Sequence, residues 1–376
     1  MQPENPTDKA STDDLSELPG VSYVMPVLNE VTHVRAAVDS LLAQDYTGPF
    51  DVVLAVAPSI DGTEALVEQL SAADPRIRVV TNSIGSTPAG LNAAIRASTH
   101  PVVVRVDAHS VLPRDYARIA VETLQRSGAD NVGGVMAAEG LSPFQRAVAR
   151  AYGSRIGLGG TPHHVGGEEG PADTVYLGVF RRAALERAGL FDERFKRGQD
   201  WELNRRLREL GGTVWFTPRL TVTYRPRPSM RALLRQFLST GMWRGELTRL
   251  FPASRSLRYF APPVLVALLA LGLLAGAAGV VQALVGVAPW LLLGLVVPLG
   301  YLVLVAAATV AVARVDGPRA MLWFAVVIPS IHVAWGTGFV LGFAGLTSNI
   351  SAARNQPRTG GVPTTGDDGT DTARDA

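Results

Sequence analysis

Two hydrophobic rhythms alternate along the first two-thirds of the chain. Residues 21–27, 50–56, 77–80 and 102–106 form short runs rich in Val, Ile and Phe with few polar positions. Such runs predict strands buried on both faces. The stretches between them, 31–43, 64–73, 89–97 and 115–126, repeat their apolar residues at helical spacing. Strands alternating with helices predict an α/β body with a mostly parallel sheet and helices on both faces. A further strand is predicted at 173–178 and a further helix at 200–210.

The pattern changes after Arg258, since no Asp, Glu, Lys or Arg occurs before Arg314, and a second uncharged stretch runs over 320–353. One bilayer-spanning helix needs roughly 20 residues. The first stretch is therefore long enough for two, with a break at 286–289, and about three spans are expected in all, near 262–285, 290–313 and 320–345. A very apolar soluble helical domain is the competing reading, and charge-free windows of this length disfavour it.

Composition narrows the picture. The chain has 376 residues, 47% of them hydrophobic and 18% charged, enough for one sizeable domain plus a smaller region. With no cysteine, disulfides and thiolate metal sites are excluded. A net charge of +2 gives no case for a nucleic-acid partner. The basic residues instead gather at Arg231, Arg235, Arg244, Arg249, Arg255 and Arg258, just ahead of the apolar tract. Alternating with leucines and aromatics, they predict an amphipathic segment over 229–259 lying on the lipid bilayer, or a solvated basic face that only sets orientation. The positive-inside rule then places the N-terminal body and the loop at 314–319 in the cytoplasm of a multi-pass cell-membrane protein. Residues 1–19 are polar and acidic and 346–376 are rich in Gly, Thr, Asp and Pro, so both are expected to be disordered.

The chemistry-bearing residues sit where predicted strands end, the edge at which open α/β sheets collect ligands. The first strand delivers Pro26, Asn29 and Glu30, with helix capping by Asn29 as the plain alternative. The second leads to Asp61-Gly62-Thr63, either a carboxylate for a base or ribose or an ordinary Asp-Gly turn. Gly85 to Ala94 opens a helix through Gly90 and Asn92, where a phosphate or ribose contact is plausible. The fourth strand ends in Arg105-Val106-Asp107-Ala108-His109, whose acid and imidazole can together bind a divalent cation. Asp200, in Gly198-Gln199-Asp200-Trp201-Glu202, is either a helix cap or a general base, and Glu202 is expected on the helix surface. His163 and His164 either ligate a metal or mark a mobile acceptor-side loop, the latter being the reading their neighbouring glycines favour. His332, in the third span, is either functional or a packing residue.

The order of these pieces, P-V-L-N-E, D-G-T, G-L-N-A-A-I, V-D-A-H and G-Q-D-W-E-L, resembles family 2 glycosyltransferases of the GT-A fold over about residues 20–225. The likeness is greatest to exopolysaccharide enzymes of the succinoglycan type with C-terminal membrane helices. The resemblance implies a GT-A domain at 20–228 and a membrane region at 260–345. It implies that Pro26, Asn29, Glu30 and Asp61 line the nucleotide pocket, that Asp107 and His109 match the metal motif, and that Asp200 matches the catalytic base. The expected activity is inverting transfer from a nucleotide-diphosphate sugar to a lipid-linked or other glycan acceptor, with Mg²⁺ or Mn²⁺. The motif here is Asp-x-His where the family has Asp-x-Asp, which leaves the metal's identity open. Gln199, Trp201, Arg235, Trp243 and Arg244 are further acceptor-side or interface candidates. The Gln-x-x-Arg-Trp signature of processive synthases is missing, which favours single addition over a processive polysaccharide synthase. A non-catalytic scaffold with a vestigial sugar-nucleotide fold is the alternative outside enzymes.

Overall fold

Valine-rich stretches become strands because β-branched side chains suit a pleated surface buried on both sides. In the computed structural model, which describes residues 18–195, 197–252 and 255–347, they form β1 (Val21–Val27), β2 (Phe50–Val56), β3 (Ile77–Thr81) and β4 (Val102–Arg105). The intervening helices are α1 (Val34–Leu42), α2 (Thr63–Ala73), α3 (Thr87–Ala97) and α4 (Tyr116–Ser127). The sequence-based boundaries of the four strands agree with these to within a residue. Ser86 caps α3 by accepting a hydrogen bond from the Ala89 N–H, with a proline in the first turn.

The second half adds β5 (Asn131–Ala138), α5 (Pro143–Tyr152), α6 (Arg155–Leu158) and α7 (Pro162–Val165). Then come β6 (Gly170–Pro171), β7 (Tyr176–Arg181), α8 (Arg182–Ala188), α9 (Gln199–Glu209) and β8 (Val214–Tyr224). The strands make one eight-stranded sheet in the order β3-β2-β1-β4-β7-β5-β8-β6. Neighbours are parallel from β3 through β4, whereas β7 lies antiparallel between β4 and β5. The strand expected at 173–178 thus begins three residues late and runs against its neighbours. Its short apolar run carries no sign of direction, because direction depends on the path of the preceding loop.

Strand parity sorts the core into two layers. Val21, Tyr23, Met25, Val52, Leu54, Val102 and Val104 pack with α1, α2 and α4. Val24, Val53, Ala55 and Val103 pack with α3, α8 and α9. The chain runs outward from β1 to β3 and then sets β4 on the other side of β1, so the order reverses there. Val106 N–H donates to the Val24 carbonyl at 3.0 Å. The next inward position on β1 is Pro26, which has no N–H to continue the ladder. The carboxyl ends of β1 and β4 therefore part at the switch point, where α/β sheets bind ligands.

Beyond the sheet, α10 (Met230–Leu250) leads through a 3₁₀ turn (Leu257–Tyr259) into α11 (Ala261–Leu284). A 3₁₀ segment (Trp290–Leu295) precedes α12 (Val296–Asp316), and α13 (Pro318–Phe343) follows. Among the described residues, three helical stretches, Leu257–Leu284, Trp290–Val312 and Pro318–Phe343, are long and apolar enough to cross a membrane. Of the leader expected at 1–19 and the tail expected at 346–376, residues 1–17 and 348–376 lie outside the described residues.

Part of the apolar side of the basic segment is covered by protein, while Leu234 and Leu257 stay exposed. Leu233 and Phe237 pack in one cluster with α5, α12 and α13. Gly241 and Gly245 of α10 and Gly338 and Gly342 of α13 let the two backbones touch. A Cβ on Gly342 would lie 1.9 Å from the Met242 carbonyl oxygen, and one on Gly241 would lie 2.1 Å from that of Trp335. This is small-residue packing of the membrane-helix kind. Gly342→Leu is expected to cost about 1–3 kcal/mol or more by forcing the helices apart, read as a lower unfolding midpoint in detergent. His332 has a structural role here. Its Nε2 donates to the Ile156 carbonyl at 2.6 Å, which leaves Nδ1 to accept from the Tyr301 hydroxyl at 2.8 Å. It ties α12 and α13 to α6.

Candidate active site

Three loops at the carboxyl edge of the parallel strands are stitched together by side chains. Asn29 takes a left-handed backbone, φ 54°, which asparagine tolerates better than most residues. Its Oδ1 accepts from the Ile60 N–H at 2.9 Å, and its own N–H donates to Ser59 Oγ at 3.1 Å. Asp61 accepts from the Val31 N–H at 3.1 Å and from the Thr63 N–H at 3.0 Å. The hydroxyl of Thr63, together with these amides, holds the Asp61 carboxyl below the usual carboxylate range. Glu30 completes the seam, donating its N–H to Thr63 Oγ1 at 2.8 Å.

Glu30 also reaches the next strand end. Its Oε1 accepts from His109 Nδ1 at 3.0 Å, and its Oε2 accepts from His33 Nδ1 at 3.0 Å. The bond to Glu30 raises the His109 pKa.

The centre of the site is a residue the motif reading passed over. Arg105 shares the parity of Val103 and so projects toward the α9 face of the sheet. It is 7% exposed and bridges two carboxylates, Asp107 Oδ1 at 2.8 Å from Nη2 and Asp200 Oδ2 close against Nη1. The signal was available in the sequence, since a charged residue within a buried valine run needs a partner. Asp61 is thus linked to His109 through Thr63 and Glu30, and Asp107 to Asp200 through Arg105, with His109 following Asp107 on the same strand-end loop.

Asp200 enters this edge on the first turn of α9. Gly198 precedes it at φ 69°, and a Cβ there would fall 1.7 Å from the ring of Trp243, so only glycine fits. Burial raises the Asp200 pKa against the opposing pull of Arg105. Its Oδ1 is buried and has no hydrogen-bond partner among the described residues.

Several expectations need correction. Gly90 and Asn92 face protein rather than the cleft. A Cβ on Gly90 would meet Asn82 at 2.7 Å and Pro26 at 2.9 Å, so this glycine lets α3 pack closely on β1. Asn92 is buried, its amide donating to the Phe191 carbonyl and to Glu193 and its Oδ1 accepting from the Phe191 N–H. It pins the segment before α9. Glu202 is not on the surface but 2% exposed, and it pairs with Arg206 at 2.7 Å. His163 and His164 form a helical turn in α7, and burial depresses them to about 4 and about 3 respectively.

The acceptor-side candidates divide. Gln199 is buried at the start of α9. Trp201 and Trp243 meet edge-on at 6.5 Å, and the Arg244 guanidinium lies over Trp201, Trp243 and Tyr259 at 4.9, 4.4 and 4.3 Å. Burial lowers the Arg244 pKa to about 10, and its Nη1 has no hydrogen-bond partner among the described residues. Arg235 stays exposed on α10 and does not join this group.

The donor set admits a divalent cation only in part. Because Glu30 takes the His109 Nδ1–H, the neutral imidazole presents Nε2 as a ligand. Asp107 Oδ2 has no partner among the described residues. No cluster of three or more His, Asp or Glu suited to a metal occurs among the described residues. Further ligands would have to come from a bound diphosphate and water, as is usual for Mg²⁺-type sites.

Comparison with known proteins shows the family and the fold of the chain. Residues 19–239 match the family described as "Glycosyltransferase like family 2". The succinoglycan biosynthesis protein ExoA of Rhizobium meliloti (strain 1021) is 30% identical over 340 residues, 88% of this chain and 96% of that one. A dolichyl N-acetyl-alpha-D-glucosaminyl phosphate 3-beta-D-2,3-diacetamido-2,3-dideoxy-beta-D-glucuronosyltransferase of Methanococcus voltae is 23% identical, covering 61% of this chain and 74% of its own. In fold the chain resembles the mannosyltransferase PcManGT from Pyrobaculum calidifontis, solved with GDP-Man and Mn²⁺. The TM-score is 0.51 at 19% identity, with 88% of each chain covered.

Proposed function

The chain belongs to glycosyltransferase family 2, and from that premise we propose that it is a membrane-bound inverting enzyme. It moves a sugar from a nucleotide-diphosphate donor to a hydroxyl of a lipid-linked glycan in cell-surface polysaccharide synthesis. The observation that carries this reading is Asp200 Oδ1, a buried carboxylate oxygen with no hydrogen-bond partner among the described residues, beside the Arg105–Asp107 bridge at the strand end. Buried acceptors are nearly always satisfied in native proteins, and an exception calls for a functional reason.

The donor nucleotide lies along Pro26, Asn29, Glu30 and Asp61, with its diphosphate toward Asp107. Asp200 accepts the proton of the acceptor hydroxyl as that oxygen bonds to the anomeric carbon. The bond from that carbon to the phosphate oxygen breaks in the same displacement, the nucleoside diphosphate departs, and configuration inverts. Asp107 and His109 would hold a divalent cation, which supplies neutralising charge for the departing diphosphate. Arg105 holds Asp107 and Asp200 in register for the two ends of the reaction. The α/β body faces the cytoplasm, where nucleotide-sugars are made.

Purified membranes incubated with labelled UDP-, GDP- and dTDP-sugars test the reading. Transfer of one residue from one donor class to extractable lipid is expected. No transfer or donor hydrolysis with any of them, despite nucleotide binding, would reduce the chain to a scaffold. Chelation of divalent ions is expected to slow turnover by at least about 10²-fold, with Mn²⁺ restoring it better than Mg²⁺ because imidazole favours the former. Unchanged turnover in chelator would remove the cation from the scheme.

A further inference from the structure

Where α9 meets the turn leading into α11 there is a cavity of about 360 Å³. One face of α9 forms its wall through Trp201, Arg205 and Arg208, and the turn contributes Arg255, Arg258 and Tyr259. Its acids are already engaged. Asp173 lies 3.4 Å from Arg208 and 3.2 Å from Arg258, and Glu209 pairs with Arg205 at 2.5 Å. Arg255 has no carboxylate partner among the described residues, and neither has Arg244, stacked behind Trp201 and Tyr259. A surplus of guanidinium charge in an aromatic-walled hollow is suited to phosphate, whose oxygens match the guanidinium fork.

Two neighbours narrow the ligand. The hollow opens at the point where the chain enters its first apolar span, beside Leu257, which is 91% exposed. Trp201 on its wall is adjacent in the chain to Asp200. We propose that this cavity binds the phosphate or diphosphate of the lipid-linked acceptor, with the hydrocarbon chain along α11 and the glycan directed toward Asp200. The inference rests on the reading of the acceptor as lipid-linked.

The test uses the full chain in phosphatidylcholine nanodiscs and compares wild type with the double variant Arg255→Gln/Arg258→Gln. Both side chains are exposed, so the variant keeps the fold, checked by an unchanged unfolding midpoint. Farnesyl diphosphate is the probe, with inorganic pyrophosphate, phosphatidylglycerol, UDP and GDP as comparisons. The variant is expected to bind farnesyl diphosphate at least about ten-fold more weakly, since charge-assisted bonds are lost, with its affinity for UDP and GDP unaltered. Equal farnesyl diphosphate affinity in the two proteins overturns the proposal. So does a loss confined to UDP or GDP, which would make the hollow part of the donor site. Pyrophosphate competing as well as farnesyl diphosphate would mark a free-phosphate site, and displacement by phosphatidylglycerol a bulk-lipid site; either also overturns it. Binding is read without turnover, which separates the two claims. Transfer only to water-soluble glycans, with farnesyl diphosphate binding still dependent on Arg255 and Arg258, would sink the acceptor reading and leave a lipid-phosphate site. Lipid-linked transfer with an acceptor KM unchanged in the variant would sink the cavity and leave the acceptor reading.

Discussion

Asp200→Asn is expected to lower the transfer rate by about 10²–10⁴-fold, the usual worth of a positioned general base, while nucleotide affinity stays at the wild-type value. The amide keeps the shape of the carboxyl and its contact with Arg105 but cannot take a proton. The pH profile gives an independent check. Burial raises the pKa of Asp200, opposed by Arg105. Asp200 is therefore still protonated at a pH where an ordinary carboxyl has ionised. The wild-type rate should fall as pH drops through that raised value, and the residual rate of the asparagine variant should lack this limb. Initial rates with a defined acceptor measure both. Wild-type turnover in the variant, or an unaltered acid limb, would assign the proton to another group.

Arg105→Met is expected to be the most destabilising substitution at the site, at about 3–5 kcal/mol, because it strands buried charge. Arg105 is the counter-ion of both Asp107 and Asp200. Without it, both carboxylates lose their partner, and the Asp200 pKa, already raised by burial, rises further in the folded protein. A carboxyl with a raised folded pKa disfavours folding increasingly as pH climbs through the range between its unfolded and folded values. The deficit should thus be smaller near pH 4 than near pH 7, as read from unfolding midpoints in detergent. Arg105→Lys should recover part of the stability but little of the activity, since an ammonium cannot span both acids as a planar fork does. A methionine variant as stable as wild type at neutral pH would mean that the bridge does not hold the site together.

The family assignment sets these residues in a scheme, but their arrangement comes from particular contacts, and the sequence anticipated some of them. The strand-end positions of Asn29, Glu30, Asp61 and Asp107 followed from hydrophobic runs and turn residues alone. The placement of Gly90 and Asn92 did not, because a glycine that admits a ligand and one that admits a helix look alike in a motif. Glu202 was misplaced for a similar reason. Helical periodicity gives the side of a helix but does not reveal that Arg206 waits there to pair with a carboxylate. The amphipathic segment at 229–259 was visible as a basic and apolar pattern, yet the close approach of α10 to α13 rests on Gly241, Gly245, Gly338 and Gly342, which carry no hydrophobic signal.

Local rules therefore settled the parallel strands, the alternating helices, the uncharged spans and the edge on which chemistry collects, since each depends on the spacing and solvation of residues near one another in the chain. Tertiary packing alone decided that Arg105 joins Asp107 to Asp200, that Trp243 presses on Gly198 and that Arg244 stacks beside an arginine-lined hollow. Those contacts join residues distant in sequence, and their energies come from burial, shape and charge pairing that exist only once the sheet, α9 and α10 have closed on one another.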